Sequence, residues 1–308
     1  MKSTCNFLLV FIFSFSYSLN NDYIVSSFDN HQIHGTLMES DELNSILTII
    51  IAGSGPTDRD GNNISIKSDY LKMLAEGLHE NGVSTFRYDK RGVGKSIGDL
   101  KSENEIKFSY FVNDVISIIN HFKESERFKK IVVIGHSEGS LIGMIASRSI
   151  ADNFISIAGS GEDYLTLIQR QLSNRAPWII SMSNSIIKQL RNDNVVDSVP
   201  PVMNSLFNLN AQKYLIDASR YDPIVEISKL NIPVLIIQGT NDIQVEVNDA
   251  QMLHDAAIKS RLEIIKGMNH VFRQANENYL LNLQTYGNPD LPLDDTLLNL
   301  ILDFIDKS

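Results

Sequence analysis

The segment from 131 to 150 constrains the fold more than any other part of the chain. Ile131-Val132-Val133-Ile134 runs into Gly135-His136-Ser137-Glu138-Gly139, then into a stretch of small and apolar residues that includes Leu141, Ile142, Gly143, Ile145 and Ala146. The order apolar strand, G-x-S-x-G, helix demands a tight turn with Ser137 at its tip in a strained backbone conformation. Glycines two positions to either side let strand and helix pack close to it. The hydroxyl then projects above the sheet at the positive end of a helix, where the backbone N–H of Glu138 can stabilise an oxyanion. A chain of this composition contains on the order of 0.1 accidental matches to the pattern, so a merely Gly-softened turn is the weaker reading.

Around that turn, strand-like and helix-like runs alternate. Residues 23–28 and 32–38 read as an opening hairpin with its turn near Asp29-Asn30. Residues 47–52 (LTIIIA) are apolar without interruption, as expected of a strand covered on both faces. A helix is predicted over 70–80, with Leu71, Leu74, Ala75 and Leu78 on one face and Asn81-Gly82 closing it. Further strands are predicted at 83–88, 131–134, 154–158, 234–238 and 262–265. Helices are predicted at 108–122, 140–150, 247–257 and 296–306. Strands alternating with helices imply an α/β domain built on a mainly parallel sheet with helices on both faces. Between 162 and 229 the rhythm breaks into helical and irregular sequence, too long for a plain connection and best read as a helical lid. The expected organisation is therefore 1–18 signal peptide, 19–161 and 230–308 the two parts of the core, and 162–229 the lid.

Length and charge narrow the function. A chain of 308 residues, 43% hydrophobic and 21% charged, has ample sequence for one large globular core. The 27 Lys and Arg against 37 Asp and Glu give a net charge of −10, which makes nucleic acid an unexpected partner. One Cys allows neither an internal disulfide nor a Cys-rich metal cluster, so no metal is expected. At the N-terminus, Lys2, the apolar run 7–15 and Ser16-Tyr17-Ser18 describe a secretory signal peptide. Its apolar block is short of the ~20 residues a membrane span needs. Export with cleavage after Ser18, to the periplasm or beyond the cell, is the expectation, with no integral membrane span.

A nucleophilic serine needs a base and the base an orienting acid, following in the order Ser, acid, His. Two histidines come after residue 137. His254 sits within an amphipathic helical run, whereas His270 lies in the loop after a strand, where it can reach over the carboxyl end of the sheet. His270 is the expected base. The acid belongs on the loop after the preceding strand, Gly239-Thr240-Asn241-Asp242, which favours Asp242 over Glu246 and Asp249. A second oxyanion donor is expected after the strand 47–52, from the backbone N–H of Ser54 or, as runner-up, Gly55. The run Asp58-Arg59-Asp60 reads equally as an ion-pair network or a solvated turn. The Gly-rich basic loop 88–96 invites a phosphate-binding reading, but Gly92-x-Gly94 lacks the spacing of a P-loop or a dinucleotide fingerprint, and a supporting structural role is the better reading.

The stretches GSGPTDRDG, YDKRGVGKS, GHSEG, GTND and GMNH, in this order, resemble the α/β-hydrolase superfamily. In particular they are similar to bacterial serine esterases and to hydrolases related to the prolyl-oligopeptidase and serine aminopeptidase groups. The likeness spans nearly the whole chain after residue 18 except the lid. It implies an eight-stranded sheet, no cofactor, and Ser137, Asp242 and His270 as a catalytic triad. It departs from the commonest pattern at Ala52, where a His frequently precedes Gly53.

These readings together point to a serine hydrolase acting on a small-molecule ester or short peptide. Esters are favoured because an alkoxide leaves more readily than an amine. Apolar lid residues such as Trp178, Ile180, Met182, Val202 and Leu206 either bind an acyl group or, for most of them, pack the lid onto the sheet. A peptidase would need a carboxylate for the substrate amino group, for which the lid offers Glu162, Asp163, Asp193 and Asp197. A non-catalytic binding protein on the same fold is the remaining alternative. The N-terminal reading carries its own check: Edman sequencing of protein secreted by an expressing host should begin at Leu19, and a mature chain retaining residues 1–18 would refute export with cleavage.

Overall fold

A computed structural model describes residues 22–41, 46–98 and 106–308. The proposed signal segment lies outside the described residues. Eight strands, β1 (Asp22–Ser26), β2 (Gln32–Met38), β3 (Ile46–Ile51), β4 (Ser84–Tyr88), β5 (Lys130–His136), β6 (Asn153–Ile157), β7 (Val234–Gly239) and β8 (Ser260–Ile265), form one sheet in the order β1-β2-β4-β3-β5-β6-β7-β8. β2 runs antiparallel to β1 and β4, and every other pairing is parallel. The expected eight-stranded, mainly parallel α/β architecture is present.

The uninterrupted apolar runs follow from burial on two faces. Residues one apart on a strand point to opposite sides, so each central strand feeds two cores. Leu47, Ile49, Ile51, Ile131, Val133 and Ile236 pack with α2 (Phe108–Glu124), α3 (Glu138–Ala146) and α9 (Val247–Ala256). Their neighbours Ile50, Val132, Ile134, Leu235 and Ile237 pack with α1 (Tyr70–Glu80) and α11 (Asp295–Lys307) on the other face. The predicted helical stripes are the buried ones: Leu71, Leu74, Ala75 and Leu78 on α1, and Phe111, Val115, Ile118, Ile119 and Phe122 on α2. Gly82 at φ 83° turns the chain out of α1 where a side chain would be strained.

Between β6 and β7 lie α4 (Tyr164–Gln171), α5 (Pro177–Leu190), α6 (Asn204–Phe207), α7 (Leu209–Ala218) and α8 (Pro223–Ile227). The first four share a core of their own, made by Leu165, Ile168, Ile186, Ile187, Leu190, Met203, Phe207, Leu215 and Ile216. Three starts are set by side-chain caps: Asp163 accepts from the N–H groups of Leu165 and Thr166, Asn208 from those of Asn210 and Ala211, and Asp222 from that of Ile224.

Two sequence expectations need correction. The helix after the elbow spans Glu138–Ala146 rather than 140–150, because Ser137 is itself the residue before the first helical turn and Ser149, at φ 59°, has already left the helix. A short helix, α10 (Tyr279–Gln284), was not foreseen. It is started by Asn278, whose side chain accepts from Leu280 and Leu281, while Tyr279, Leu280 and Leu281 remain exposed and give no buried periodicity to read.

Close backbone approach makes a measurable difference between two glycines. A Cβ on Gly239, at the end of β7, would lie 2.0 Å from the carbonyl oxygen of Met268, whereas one on Gly77 within α1 would meet only the tip of Leu298 at 3.1 Å. Gly239→Ala is expected to lose about 2–3 kcal/mol by urea unfolding. Gly77→Ala, gaining helix propensity against a small side-chain shift, should stay within about 1 kcal/mol of the parent.

Candidate active site

Ser137 sits at the tip of the β5–α3 turn with φ 55° and ψ −120°. The flanking glycines permit this. A Cβ on Gly135 would lie 2.2 Å from the carbonyl oxygen of Gly139, and one on Gly139 would lie 2.5 Å and 2.8 Å from those of Ile51 and Ala52. The Ser137 N–H donates to the Ile157 carbonyl at 3.0 Å, fastening the tip to the end of β6. A hydroxyl held this way, before the first turn of a helix, faces free N–H groups and the positive end of the helix dipole.

Asp242 and His270 meet from the loops after β7 and β8. His270 Nδ1 donates to Asp242 Oδ2 at 2.7 Å, leaving Nε2 as the basic nitrogen. Asp242 Oδ1 also accepts the N–H groups of Gln244 at 2.8 Å and Val245 at 3.0 Å, while the Gln238 side chain donates to Oδ2. Burial alone would raise the Asp242 carboxyl, but the facing imidazole and these donors outweigh it and hold it below the usual carboxylate range. The other acids considered have structural work. Glu246 and Asp249 form the capping box at the start of α9, and Asp249 pairs with Arg170 at 2.6 Å. His254 bonds Ser260 at 2.6 Å on α9.

His136, between Gly135 and Ser137, ties His270 to the elbow. Its Nε2 donates to the His270 carbonyl at 2.9 Å and its Nδ1 accepts the Tyr70 hydroxyl at 3.0 Å, with the two imidazole rings 4.6 Å apart. Burial, and then the neighbouring His270, push the His136 imidazole well below its usual range, so it is neutral. Ser137 therefore stands beside a residue that touches His270, although among the described residues no hydrogen bond joins the serine hydroxyl to the His270 ring.

The loop after β3 lies against the serine. A Cβ on Gly53 would come within 3.2 Å of the Ser137 Cβ and 3.1 Å of His136 Nδ1. The following residues, Ser54, Gly55 and Pro56, line a cavity together with Ser137 and Glu138. Of the two readings for Asp58-Arg59-Asp60, the structure has the ion-pair network: Asp58 caps the turn through Asp60 and Asn62, Arg59 pairs with Asp89 at 2.7 Å, and Asp60 pairs with Arg87 at 2.7 Å. The loop 88–96 is structural as well. The Asp89 carboxylate accepts the N–H of Lys95 at 2.9 Å, so an anion from the chain itself occupies the Gly-rich turn.

Sequence reading missed a buried cluster beneath this loop. Lys90 Nζ donates to Glu138 Oε2 at 2.9 Å and to the carbonyl of Gly53, while the hydroxyls of Tyr164 and Tyr214 donate to Glu138 Oε1 at 2.7 and 2.6 Å. Burial would raise the Glu138 carboxyl, yet Lys90 and the tyrosine hydroxyls bring it below its ordinary value. Burial and the Glu138 charge raise both tyrosines well above theirs. The available signal was a lysine and a glutamate each placed directly beside a site motif.

The cavity, about 540 Å³, has apolar walls from Phe111, Leu141, Leu167, Ile168, Leu206 and Leu215. Of the apolar residues considered for substrate contact, Leu206 lines it, Met182 packs against the helical core, and Trp178 and Val202 are exposed. The carboxylates that line it, Glu138 and Glu162, are paired with Lys90 and Arg170. Asp163 and Asp193 pair with Arg191 and Arg220, and Asp197 lines a separate polar depression. Among the described residues no cluster of His, Cys, Asp and Glu is arranged to hold a metal ion, and no helix is long and apolar enough to cross a membrane.

Comparison with known proteins bears on family and fold. The family model described as serine aminopeptidase, S33, matches residues 67–274. The chain is 27% identical over 234 residues to esterase EstD of Thermotoga maritima, covering 72% of this chain and 53% of that protein, so it spans about half the length of that relative. It is 22% identical over 222 residues to a monoglyceride lipase homolog of Monkeypox virus, covering 64% of this chain and 75% of the other. Among solved structures, Est1E from Butyrivibrio proteoclasticus with ferulic acid bound superposes with a TM-score of 0.63 at 19% identity, over 92% of this chain and all of that one. The Pyrococcus furiosus esterase PF2001 gives 0.62 at 14% identity, over 93% and 90%. These structures share the α/β-hydrolase fold.

A neutral buried histidine has a pH signature. The imidazole of His136 binds a proton more weakly in the folded chain than in the unfolded one, so its contribution to stability is complete above about pH 6.5 and is lost as pH falls below it. The slope is about 1.4 kcal/mol per pH unit. Urea unfolding from pH 7.5 to 5.0 should show this component in the parent and not in His136→Asn. Equal slopes in both would refute it.

Proposed function

The chain belongs to the serine aminopeptidase S33 family of α/β-hydrolases, and from that premise we propose that it hydrolyses small carboxylic esters through an acyl-enzyme on Ser137. The observation that carries the reading is the Asp242–His270 couple, with Nε2 left as the base, tied through His136 to the turn that holds Ser137 at φ 55°. As substrate enters, the Ser137 hydroxyl closes on His270, a contact that commonly tightens only in the substrate complex. His270 takes the hydroxyl proton as the oxygen attacks the ester carbonyl, and Asp242 holds the imidazole in its working tautomer. The negative charge that forms on the carbonyl oxygen is met by the N–H groups of Glu138 and Ser54. Collapse expels the alkoxide, which takes the proton from His270 and leaves as alcohol. Water, deprotonated by the same histidine, then attacks the acyl-enzyme and releases the acid.

Esters fit the cavity better than peptides with a free amino terminus. Such a peptide needs an unengaged carboxylate for its ammonium, and Glu138 and Glu162 are both spent on cations of the chain. The apolar walls suit an acyl chain or an aromatic acid, and the esterase names of the Thermotoga maritima relative and the Pyrococcus furiosus structure favour the same class. We read the helices between β6 and β7 as a lid over this cavity and, with residues 1–18 as an export signal, place the activity outside the cytoplasm.

A fluorophosphonate probe should label the folded protein and fail to label Ser137→Ala. Absence of labelling in the parent would leave a binding protein on a hydrolase scaffold. In the same preparation, para-nitrophenyl acyl esters should be cleaved and aminoacyl para-nitroanilides left nearly untouched; the reverse preference would establish the peptidase. Asp242→Asn should lower kcat about 10⁴-fold.

A further inference from the structure

The cluster under the loop after β3 does more than fill the floor. We propose that Lys90 is a positioning residue for the oxyanion site: it holds the carbonyl of Gly53 and thereby turns the N–H of Ser54 toward the carbonyl of a substrate on Ser137. The proposal rests on the reading of Ser137 as nucleophile. A trans peptide is planar, and its C=O and N–H point in opposite directions. No cis peptide occurs among the described residues, so an ammonium holding the oxygen of the 53–54 peptide fixes the direction of its N–H. That N–H donates to no protein group among the described residues, and Ser54 lines the cavity beside Ser137.

The loop needs such a hold. Gly53 lies too close to Ser137 and His136 for most side chains, and Gly55 has φ 74°. Gly53 on one side of the 53–54 peptide leaves that peptide easy to rotate, and a rotated peptide would present an oxygen to the oxyanion instead of a donor. Lys90 reaches the spot because β3 and β4 are parallel neighbours, with Ile50 opposite Arg87, so the loops that follow them leave the sheet side by side. Its side chain is 1% exposed and has the Glu138 carboxylate as its counter-ion. Glu138 therefore serves both halves of the site. Its N–H is one oxyanion donor, and its carboxylate anchors the lysine that directs the other. The hydroxyls of Tyr164 and Tyr214 on that carboxylate extend the anchor to α4 and α7.

The test compares Lys90→Met and the charge-balanced Lys90→Met/Glu138→Gln with the parent, after thermal melts establish which variants fold. Parent ester hydrolysis that is abolished in Ser137→Ala establishes the underlying reading; its failure would defeat that reading separately. With it in place, the folded Lys90 variant should lose about 100-fold in kcat while KM stays within about threefold. Its affinity for a boronic acid, which forms a tetrahedral adduct on the serine, should fall by the same factor as kcat/KM, with carboxylate product binding unchanged. A folded variant that keeps kcat and boronate affinity within about threefold of the parent would overturn the proposal. In the parent itself, boronate binding should move the Ser54 amide proton resonance downfield along with that of Glu138. A Ser54 resonance that stays in place would overturn the proposal even if neither variant folds.

Discussion

The site depends on how closely two stretches of backbone can approach. Gly139, in the first turn of α3, rests against the carbonyl groups of Ile51 and Ala52, and Gly135 rests against Gly139 itself. With any side chain at these places, α3 would have to move away from the sheet and the loop after β3 would leave the serine. The same contact raises Ser137 into a backbone region that costs on the order of 1–3 kcal/mol for a residue with a Cβ. Surrounding structure supplies what holds it there. Ser137 donates to the end of β6, and Ser140 of the next turn bonds Ser156 of the same strand at 2.7 Å.

On this scaffold, three consecutive residues after β4 each fix a different piece of chain. Asp89 takes Arg59 and so holds the loop 54–61. Lys90 takes Gly53 and Glu138. Arg91 takes Asp29 and the buried Asp114, and thereby joins the β1–β2 hairpin to α2. Buried ion pairs of this kind add little net stability, because desolvation offsets most of their attraction. Their directional hydrogen bonds do fix geometry, however, and each of these three ends on backbone or side chain that borders the cavity or its supports. A run that reads in the sequence as a basic, Gly-rich turn is the joint between the sheet and the loops above it.

How far sequence alone reached follows from the range of each interaction. Central strands were legible because burial on both faces leaves a run such as 47–52 with no polar interruption. Helices α1 and α2 were legible because one buried stripe repeats every turn. The Asp242–His270 pair was legible from chain order and loop position, and the structure brings those two together at 2.7 Å. Ser137 follows His136, whose Nε2 donates to the His270 carbonyl at 2.9 Å. What escaped was non-local. Lys90 and Glu138 are 48 positions apart, and Tyr214 meets Glu138 across 76, so no periodicity connects them. The boundaries of α3 escaped because the elbow starts the helix at Glu138 with no capping side chain, and Ile150, one turn beyond its end at Ala146, falls in step with its apolar face. α10 escaped because its apolar residues face outward.

The tyrosines show how the inserted helices and the core come to share one electrostatic unit. Burial and the facing carboxylate raise both hydroxyls well above their ordinary range, so they are protonated donors at neutral pH. Glu138, offered three donors and one positive charge, remains ionised despite its burial. Moving α4 and α7 away from the core would therefore withdraw two hydrogen bonds from a buried anion, which costs far more than exposing an equal area of apolar surface. The helices that wall the cavity are thus held at the residue adjoining Ser137. By contrast α5 and α6 give Ile186, Ile187, Leu190 and Phe207 to the separate apolar core of the inserted helices, so it is α4 and α7 that carry the polar link to the sheet domain.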